Sequence, residues 1–218
     1  MNLLIIQARM GSSRLFGKVM KRINNTPILQ LLYNRILHSS AADEIVIATT
    51  KNKEDDIIQE FCNNYNINFF RGSDWDVLDR FYQTATSQKI KPKNIIRVCA
   101  DNPLLSYDVI DEVFNNYIKS GKDYFSNSNQ EPDYLEDGFD VEVFTFEALA
   151  FAWKNAKLLS EREHVSPFIK KNFACGWKKA HESYNFKLSV DNENDFLLVK
   201  QIFKELENSK YFSINEVV

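Results

Sequence analysis

The chain has 218 residues, of which 26% are charged and 44% hydrophobic, with only 6 glycines and 5 prolines. Those proportions exclude a disordered, collagen-like or low-complexity chain and leave ample material for a core without disulfide or metal staples. A net charge of −3 argues against a general polyanion binder, no apolar run approaches a membrane span, and the scattered Cys62, Cys99 and Cys175 fit a reducing cytoplasm.

Leu3 to Ile6 is a short apolar run closed by a Gly/Ser turn and reads as a buried strand. Thr26-Pro27 predicts a helix start, Thr26 capping and Pro27 at the first helical position, with Ile28, Leu31, Leu32, Arg35 and Ile36 at helical spacing. Glu44 to Thr49 predicts a strand, Glu54 to Asn64 a helix, and Asn68 to Phe70 a short strand. Ser73 and Asp76 read as a capping-box variant for a helix through Thr86, followed by a strand at Asn94 to Cys99. Ser106 is expected to cap a helix over Tyr107 to Lys119, with strands at Tyr124 to Ser126 and Val141 to Phe144 on either side of a polar connection, Asn127 to Gly138. Helices are predicted at Glu147 to Ala156 and, capped by Ser160 and Glu163, at Glu161 to Lys171; a last strand, Lys187 to Val190, leads into a helix near Asn194 to Glu205. Strands separated by helices of this length predict one α/β domain with a mostly parallel sheet and one mixed excursion.

Charge is unevenly placed. Between Met1 and Ala42 there are six basic residues and no acidic one, while the rest of the chain carries a balance of −9. A cationic segment on an acidic protein suggests a local anion site rather than a track for nucleic acid. Three of these residues cluster just after the first strand. The stretch Gln7 to Lys18 places Arg9, Arg14 and Lys18 beside Gly11 and Gly17, so cations and free backbone amides share one loop. Five residues separate the glycines and Val19 follows Lys18, which departs from a P-loop, and no GxGxxG fingerprint is present. Asp101 follows the central strand and Asp191 the last one, the positions where open α/β sheets present side chains to a ligand. Two such carboxylates beside a polycationic loop fit Mg²⁺ held between protein and substrate phosphates.

The segment Gln7-Ala8-Arg9-Met10-Gly11-Ser12-Ser13-Arg14-Leu15-Phe16-Gly17-Lys18 resembles the QARMGSSRLPGK signature of the cytidylyltransferases of spore-coat polysaccharide synthesis, themselves similar to CMP-KDO and CMP-sialic acid synthetases. The resemblance continues in Asp43 to Thr50, Phe70 to Ser73, Asp76 to Tyr82, Arg97 to Leu104, Asp137 to Phe144, Ser160 to Pro167 and Ser189 to Asp195, nearly the whole chain. It implies a single-domain nucleotidyltransferase fold, like that of nucleotide-diphospho-sugar transferases, with a mixed, mostly parallel sheet flanked by helices. Residues 1–110 would form the nucleotide-binding half, and 111–218 the acceptor half with the second metal carboxylate. The implied reaction is transfer of CMP from CTP to an acid sugar or related acceptor, with Mg²⁺, release of pyrophosphate, and a cytoplasmic homodimer that neither binds nucleic acid nor inserts in membrane.

By position, the resemblance places Ala8, Arg9, Gly11, Ser12, Arg14, Lys18, Arg71 and Arg97 at the nucleotide. Asp76, Arg80, Asp140, Glu163 and His164 would surround the acceptor. Asp101 and Asp191 would hold the metal, and with Arg14 and Lys18 they form the expected catalytic set. Phe16 stands where the signature has proline, a change that frees φ in the loop and removes no charge. The stretch Ala174 to Tyr184 reads as shorter than in such relatives, at the end expected to shape the acceptor site. Three other readings stay open at this point: a nucleotidylyltransferase preferring another base, a metal-dependent glycosyltransferase using Asp74-Trp75-Asp76, and a nucleotide-binding subunit without chemistry.

Overall fold

A computed structural model describes residues 1–128, 137–178 and 187–206. The first strand, β1 (Asn2–Gln7), is buried on both faces through Leu3 to Ile6, as its unbroken apolar run requires. It pairs in parallel with β4 (Glu44–Thr50) on one side and β6 (Asn94–Cys99) on the other. Outside β4 lies β5 (Phe69–Gly72), again parallel. Beyond β6 come β8 (Glu142–Thr145), β7 (Tyr124–Ser126) and β9 (Cys175–Trp177), giving the order β5-β4-β1-β6-β8-β7-β9. Among the described strands of this sheet only β8 runs against the rest, the mixed excursion anticipated from the sequence.

The two faces of the sheet each carry a layer of helices. Leu4, Ile6, Ile47, Ile96 and Val98 face α1 (Ile28–Ile36), α2 (Asp56–Asn64), α4 (Tyr107–Ser120) and α8 (Glu193–Glu205). The alternate residues Leu3, Ile5, Val46, Ala48 and Ile95 face α3 (Val77–Thr86), α5 (Phe146–Asn155) and the pair α6 (Leu159–His164) and α7 (Ser166–Asn172). After β1 the chain first builds outward through β4 and β5, then returns to place β6 on the other side. The carboxyl ends of β1 and β6 therefore flank the point where the winding reverses, where a crevice opens.

Several local expectations are revised. Thr26 and Pro27 do not start a helix; they form β3 (Thr26–Pro27), paired with β2 (Arg22–Ile23) across Asn24 and Asn25, both at positive φ, and α1 begins at Ile28. Asn tolerates that conformation better than other non-glycine residues, which makes a tight hairpin available here. Glu54 belongs to a 3-10 turn, Lys53–Asp55, ahead of α2. The Ser106 hydroxyl donates to Asp108 rather than accepting from the α4 backbone. Thr145, by contrast, caps α5 through the Ala148 amide at 3.1 Å.

The helix expected over Glu161 to Lys171 is two helices, broken at Val165, whose φ of 67° and ψ of −61° belong to a γ-turn. Ser160 is not its cap; Glu161 accepts the Leu158 amide instead. Lys187 to Val190 is not a strand. It makes one bridge, Asp137 to Lys187, and is held further by the Leu188 and Ser189 amides, which both donate to Asp137 O (2.7 and 3.2 Å), and by Val190 N–H to Asp101 O (2.8 Å). Residues 129–136 of the expected polar connection, and 179–184 of the shortened stretch, lie outside the described residues.

Candidate active site

The loop after β1 is shaped by a few backbone bonds. Ser12 and Gly17 amides both donate to Met10 O, at 2.9 and 2.8 Å, so the chain doubles back on itself. Gly17 adopts φ 68°, and a Cβ there would stand 2.8 Å from the Met10 methyl. The Met10 amide donates to the carboxylate of Asp55 at 2.6 Å, and the Thr50 hydroxyl donates to the same fully buried side chain. The turn ends in a 3-10 segment, Lys18–Met20, that buries Val19 and sends Lys18 inward while Phe16 points to solvent. Phe16 therefore leaves the interior of the loop unaltered.

Lys18 is the centre of the site. Its Nζ donates to Asp101 Oδ2 at 2.7 Å and to Asp191 Oδ1 at 2.9 Å, with only 12% of the side chain exposed. Burial works against its charge, yet the two carboxylates outweigh it and hold the ammonium above its ordinary range. Asp191 also receives Arg14 Nη2 at 2.9 Å and Lys187 Nζ at 2.9 Å. Although burial opposes ionisation, hydrogen bonds from Lys187 and Lys18 pull the Asp191 carboxyl down to about 2. The bond from Val190 to Asp101 O sets the two carboxylates side by side. Asp191 stands one residue before Asn192, the N-cap of α8 that accepts the Asn194 and Asp195 amides, near the end where the helix dipole favours an anion.

Two chambers meet at these residues. One, of about 330 Å³, is lined by Arg9, Gly11, Ser12, Arg14, Lys18 and Glu163. The other, of about 530 Å³, is lined by Asp137, Asp140, Glu142, Ser166, Lys170 and Ser189. Arg97, Cys99, Asp101, His164 and Asp191 belong to both. Arg97 is held at this junction by Glu142, which also accepts the Tyr124 hydroxyl at 2.6 Å. Burial opposes the charge on Glu142, but Arg97 and Lys170 keep its carboxyl far below the ordinary range, at about 2. Burial raises the carboxyl of Asp140 and drives the Cys99 thiol up to about 12, so Cys99 is no nucleophile at neutral pH.

The structure brings together Arg9, Gly11, Ser12, Arg14, Lys18, Arg97, Asp101, Asp191, Glu163 and His164 around the first chamber, and Asp140 in the second. Glu163 thus lies on the loop side, and His164 on both. Ala8 is buried beneath the loop, its amide bonded to Ala48 O at 3.2 Å. Arg71, Asp76 and Arg80 lie outside both chambers. Arg71 joins β5 to Thr50 O, Asn52 O, Asp56 and Gln59. Asp76 caps α3 at Asp79 N–H (2.9 Å) and accepts Arg162 Nε at 2.7 Å; Arg80 is fully buried against Ser73 O and Asp74 O. The Asp74-Trp75-Asp76 carboxylates are committed in different directions, Asp74 to Arg9 at 2.7 Å and Asp76 to Arg162.

Sequence reasoning missed Asp55, Glu142, Lys170 and Lys187. Glu142 had a signal: Asp140 and Glu142 stand two apart entering a strand, on one side of the sheet.

The donor chemistry suits a hard divalent cation bound with phosphates. Two carboxylates converge on one ammonium, and no cluster of three or more metal-type side chains exists among the described residues. Mg²⁺ is ordinarily held by about one or two carboxylates plus substrate phosphates.

The cytidylyltransferase family profile matches residues 3–217. This chain belongs to the cytidylyltransferase family. The uncharacterized protein MJ1063 of Methanocaldococcus jannaschii is 40% identical over 93% of this chain and 83% of its own length. The spore coat polysaccharide biosynthesis protein SpsF of Bacillus subtilis is 27% identical over 99% and 92%. Among solved structures, a cytidylyltransferase from Leptospira borgpetersenii superposes with a TM-score of 0.91 at 26% identity, over 99% of this chain and 91% of that one. A CMP-KDO synthetase complexed with CTP shares the fold, with a TM-score of 0.66 at 16% identity over 94% and 98%. In this cytidylyltransferase no helix of the described residues is long and apolar enough to cross a membrane.

Proposed function

We propose that this enzyme transfers CMP from CTP to an acid sugar or related acceptor and releases pyrophosphate, for the synthesis of surface polysaccharide precursors. The observation that carries the reading is the pair Asp101 and Asp191, joined by Lys18 where a cation-lined chamber meets a second one. The relatives add support: the 3-deoxy-manno-octulosonate cytidylyltransferase 2 of Hydrogenovibrio crunogenus is 30% identical over 50% of this chain and 43% of its own length.

In this reading the loop of residues 7–18 receives the nucleotide and its phosphates, and residues around Asp140 and Ser166 receive the acceptor. The first half of the chain, 1–110, then serves mainly the nucleotide, and 111–218 serves the acceptor and contributes Asp191. An acceptor hydroxyl oxygen forms a bond to the α-phosphorus while the bond from that phosphorus to the bridging oxygen breaks. Chambers on two sides of the carboxylate pair suit the in-line geometry this displacement needs. The hydroxyl proton passes to His164, which borders both chambers. Arg14 and Lys18 take up the charge that develops on the departing pyrophosphate. Asp101 and Asp191 would hold Mg²⁺, which when bound supplies Lewis-acid neutralisation of the phosphate oxygens. A cytoplasmic homodimer completes the reading.

Melting shifts with CTP, UTP, ATP, GTP and UDP-sugars, each with and without Mg²⁺, test it directly, because a ligand that binds only the folded state raises its stability. Selective stabilisation by CTP is expected; preference for a UDP-sugar would overturn the assignment. Asp101→Asn should keep the wild-type fold and lose roughly two orders of magnitude or more in turnover with any accepted acceptor.

A further inference from the structure

Asp191 is an odd metal ligand in its present surroundings. Three cations already touch it: Lys18, Arg14 and Lys187, all at 2.9 Å. Lys187 also pairs with Asp195 at 2.8 Å, and Lys18 with Asp101 at 2.7 Å. Formal charges of the three carboxylates and the three cations cancel. A divalent ion entering this cluster alone would meet a neutral centre in which Asp101 Oδ2 and both oxygens of Asp191 already face ammonium or guanidinium donors. It would also need those oxygens at about 2.0–2.1 Å rather than at hydrogen-bond distance.

We propose that in the nucleotide-free protein the Lys18 ammonium occupies the place between Asp101 and Asp191 that the divalent cation takes during the reaction, so the cation enters only together with the nucleotide. The inference rests on the reading of Asp101 and Asp191 as cation ligands. The triphosphate supplies what the resting cluster lacks, additional negative charge. Arg14, 65% exposed, and Lys18, on a flexible four-carbon stem, can both swing from carboxylate to phosphate, vacating oxygens for the incoming ion. The loop backbone need not move, because Gly17 and the Asp55 bond to Met10 hold it whichever partner Lys18 has. Lys18 thus has two partners in succession, and metal and nucleotide binding favour one another by equal factors.

Mn²⁺ serves as the probe, with free ion counted by electron paramagnetic resonance in nucleotide-free solutions of the full chain. Wild type should show no site at submillimolar Mn²⁺. Lys18→Met should bind one Mn²⁺ at least roughly tenfold more tightly than wild type, and Lys18→Met with Asp101→Asn should lose that site again. Wild type binding Mn²⁺ as tightly as Lys18→Met, or no gain in a folded Lys18→Met protein, overturns the proposal. Wild type alone supplies a second test should the variant unfold. Mg²⁺ alone should leave its melting temperature unchanged, CTP alone should raise it, and the two together should raise it further; a shift with Mg²⁺ alone overturns the proposal. Failure of CTP to shift melting under either condition refutes the cytidylyltransferase reading itself, a result distinct from failure of the Lys18 arm.

Discussion

Asp55 shows how much of a site can depend on a residue that never faces the ligand. Its carboxylate, fully buried, receives the Met10 amide and the Thr50 hydroxyl and thereby fixes the start of the phosphate-side loop. Asp55→Ala leaves both donors unpaired in the interior, so a loss of about 1.5–3 kcal/mol is expected in urea denaturation, with weaker CTP stabilisation of the folded remainder. The Lys18 cluster makes a prediction of its own about pH. Asp191 titrates at about 2 in the folded chain against an ordinary 3.8, so its contribution to stability is present above about pH 4 and is lost as pH falls toward 2. Lys18 has the opposite sign. Its raised ammonium contributes fully below its ordinary 10.5 and loses that contribution as pH climbs through the higher folded value. Unfolding free energies measured at pH 7, 4 and 3 should fall more steeply for wild type than for Asp191→Asn. Arg71, Asp76 and Arg80 mark where residue-level reading ran past the geometry. Charged side chains in conspicuous stretches are expected at a ligand, yet here they tie β5, α3 and α6 to their neighbours.

At the scale of elements, what was legible was whatever declares itself locally. β1, β4 and β6 are apolar runs with turn signals, and Asp101 is visible because it ends such a run. The break at Val165 was not legible, for a physical reason. Glu161, Val165 and Ile169 are all buried and stand four apart, so the helical period continues straight through the γ-turn. Likewise Leu188 and Val190 alternate like strand residues, but their amides go to Asp137 and Asp101 rather than to a ladder. Edge strand β9 has three residues and no pattern to detect. Gly138 gives the element-scale test. It sits at φ 123°, and a Cβ there would lie 2.7 Å from the Leu188 carbonyl carbon. Gly138→Ala should therefore cost about 1–3 kcal/mol in backbone strain, and by displacing residues 187–190 it should lower turnover together with melting temperature.

Over the whole molecule, the winding reversal at β1 and β6 places the cationic loop and Asp101 at one crevice, while β8 and the α6–α7 corner close its far side. The loop half of the site was readable because its residues are contiguous; the other half is assembled from β8, the α6–α7 corner and residues 187–191, which no spacing rule links. The strained Val165 turns His164 toward both chambers and Ser166 and Lys170 toward the second. One consequence follows from the shared wall of Arg97, Cys99, Asp101, His164 and Asp191. Because the two compartments share these five side chains, a single molecule can lie against both. A non-hydrolysable compound tethering cytidine to an acceptor mimic through a short phosphonate would bring its second half to the wall at high effective concentration once the first is seated. Such a bisubstrate ligand is expected to bind at least about a hundredfold more tightly than either half alone, and calorimetric comparison of the three compounds measures that gain.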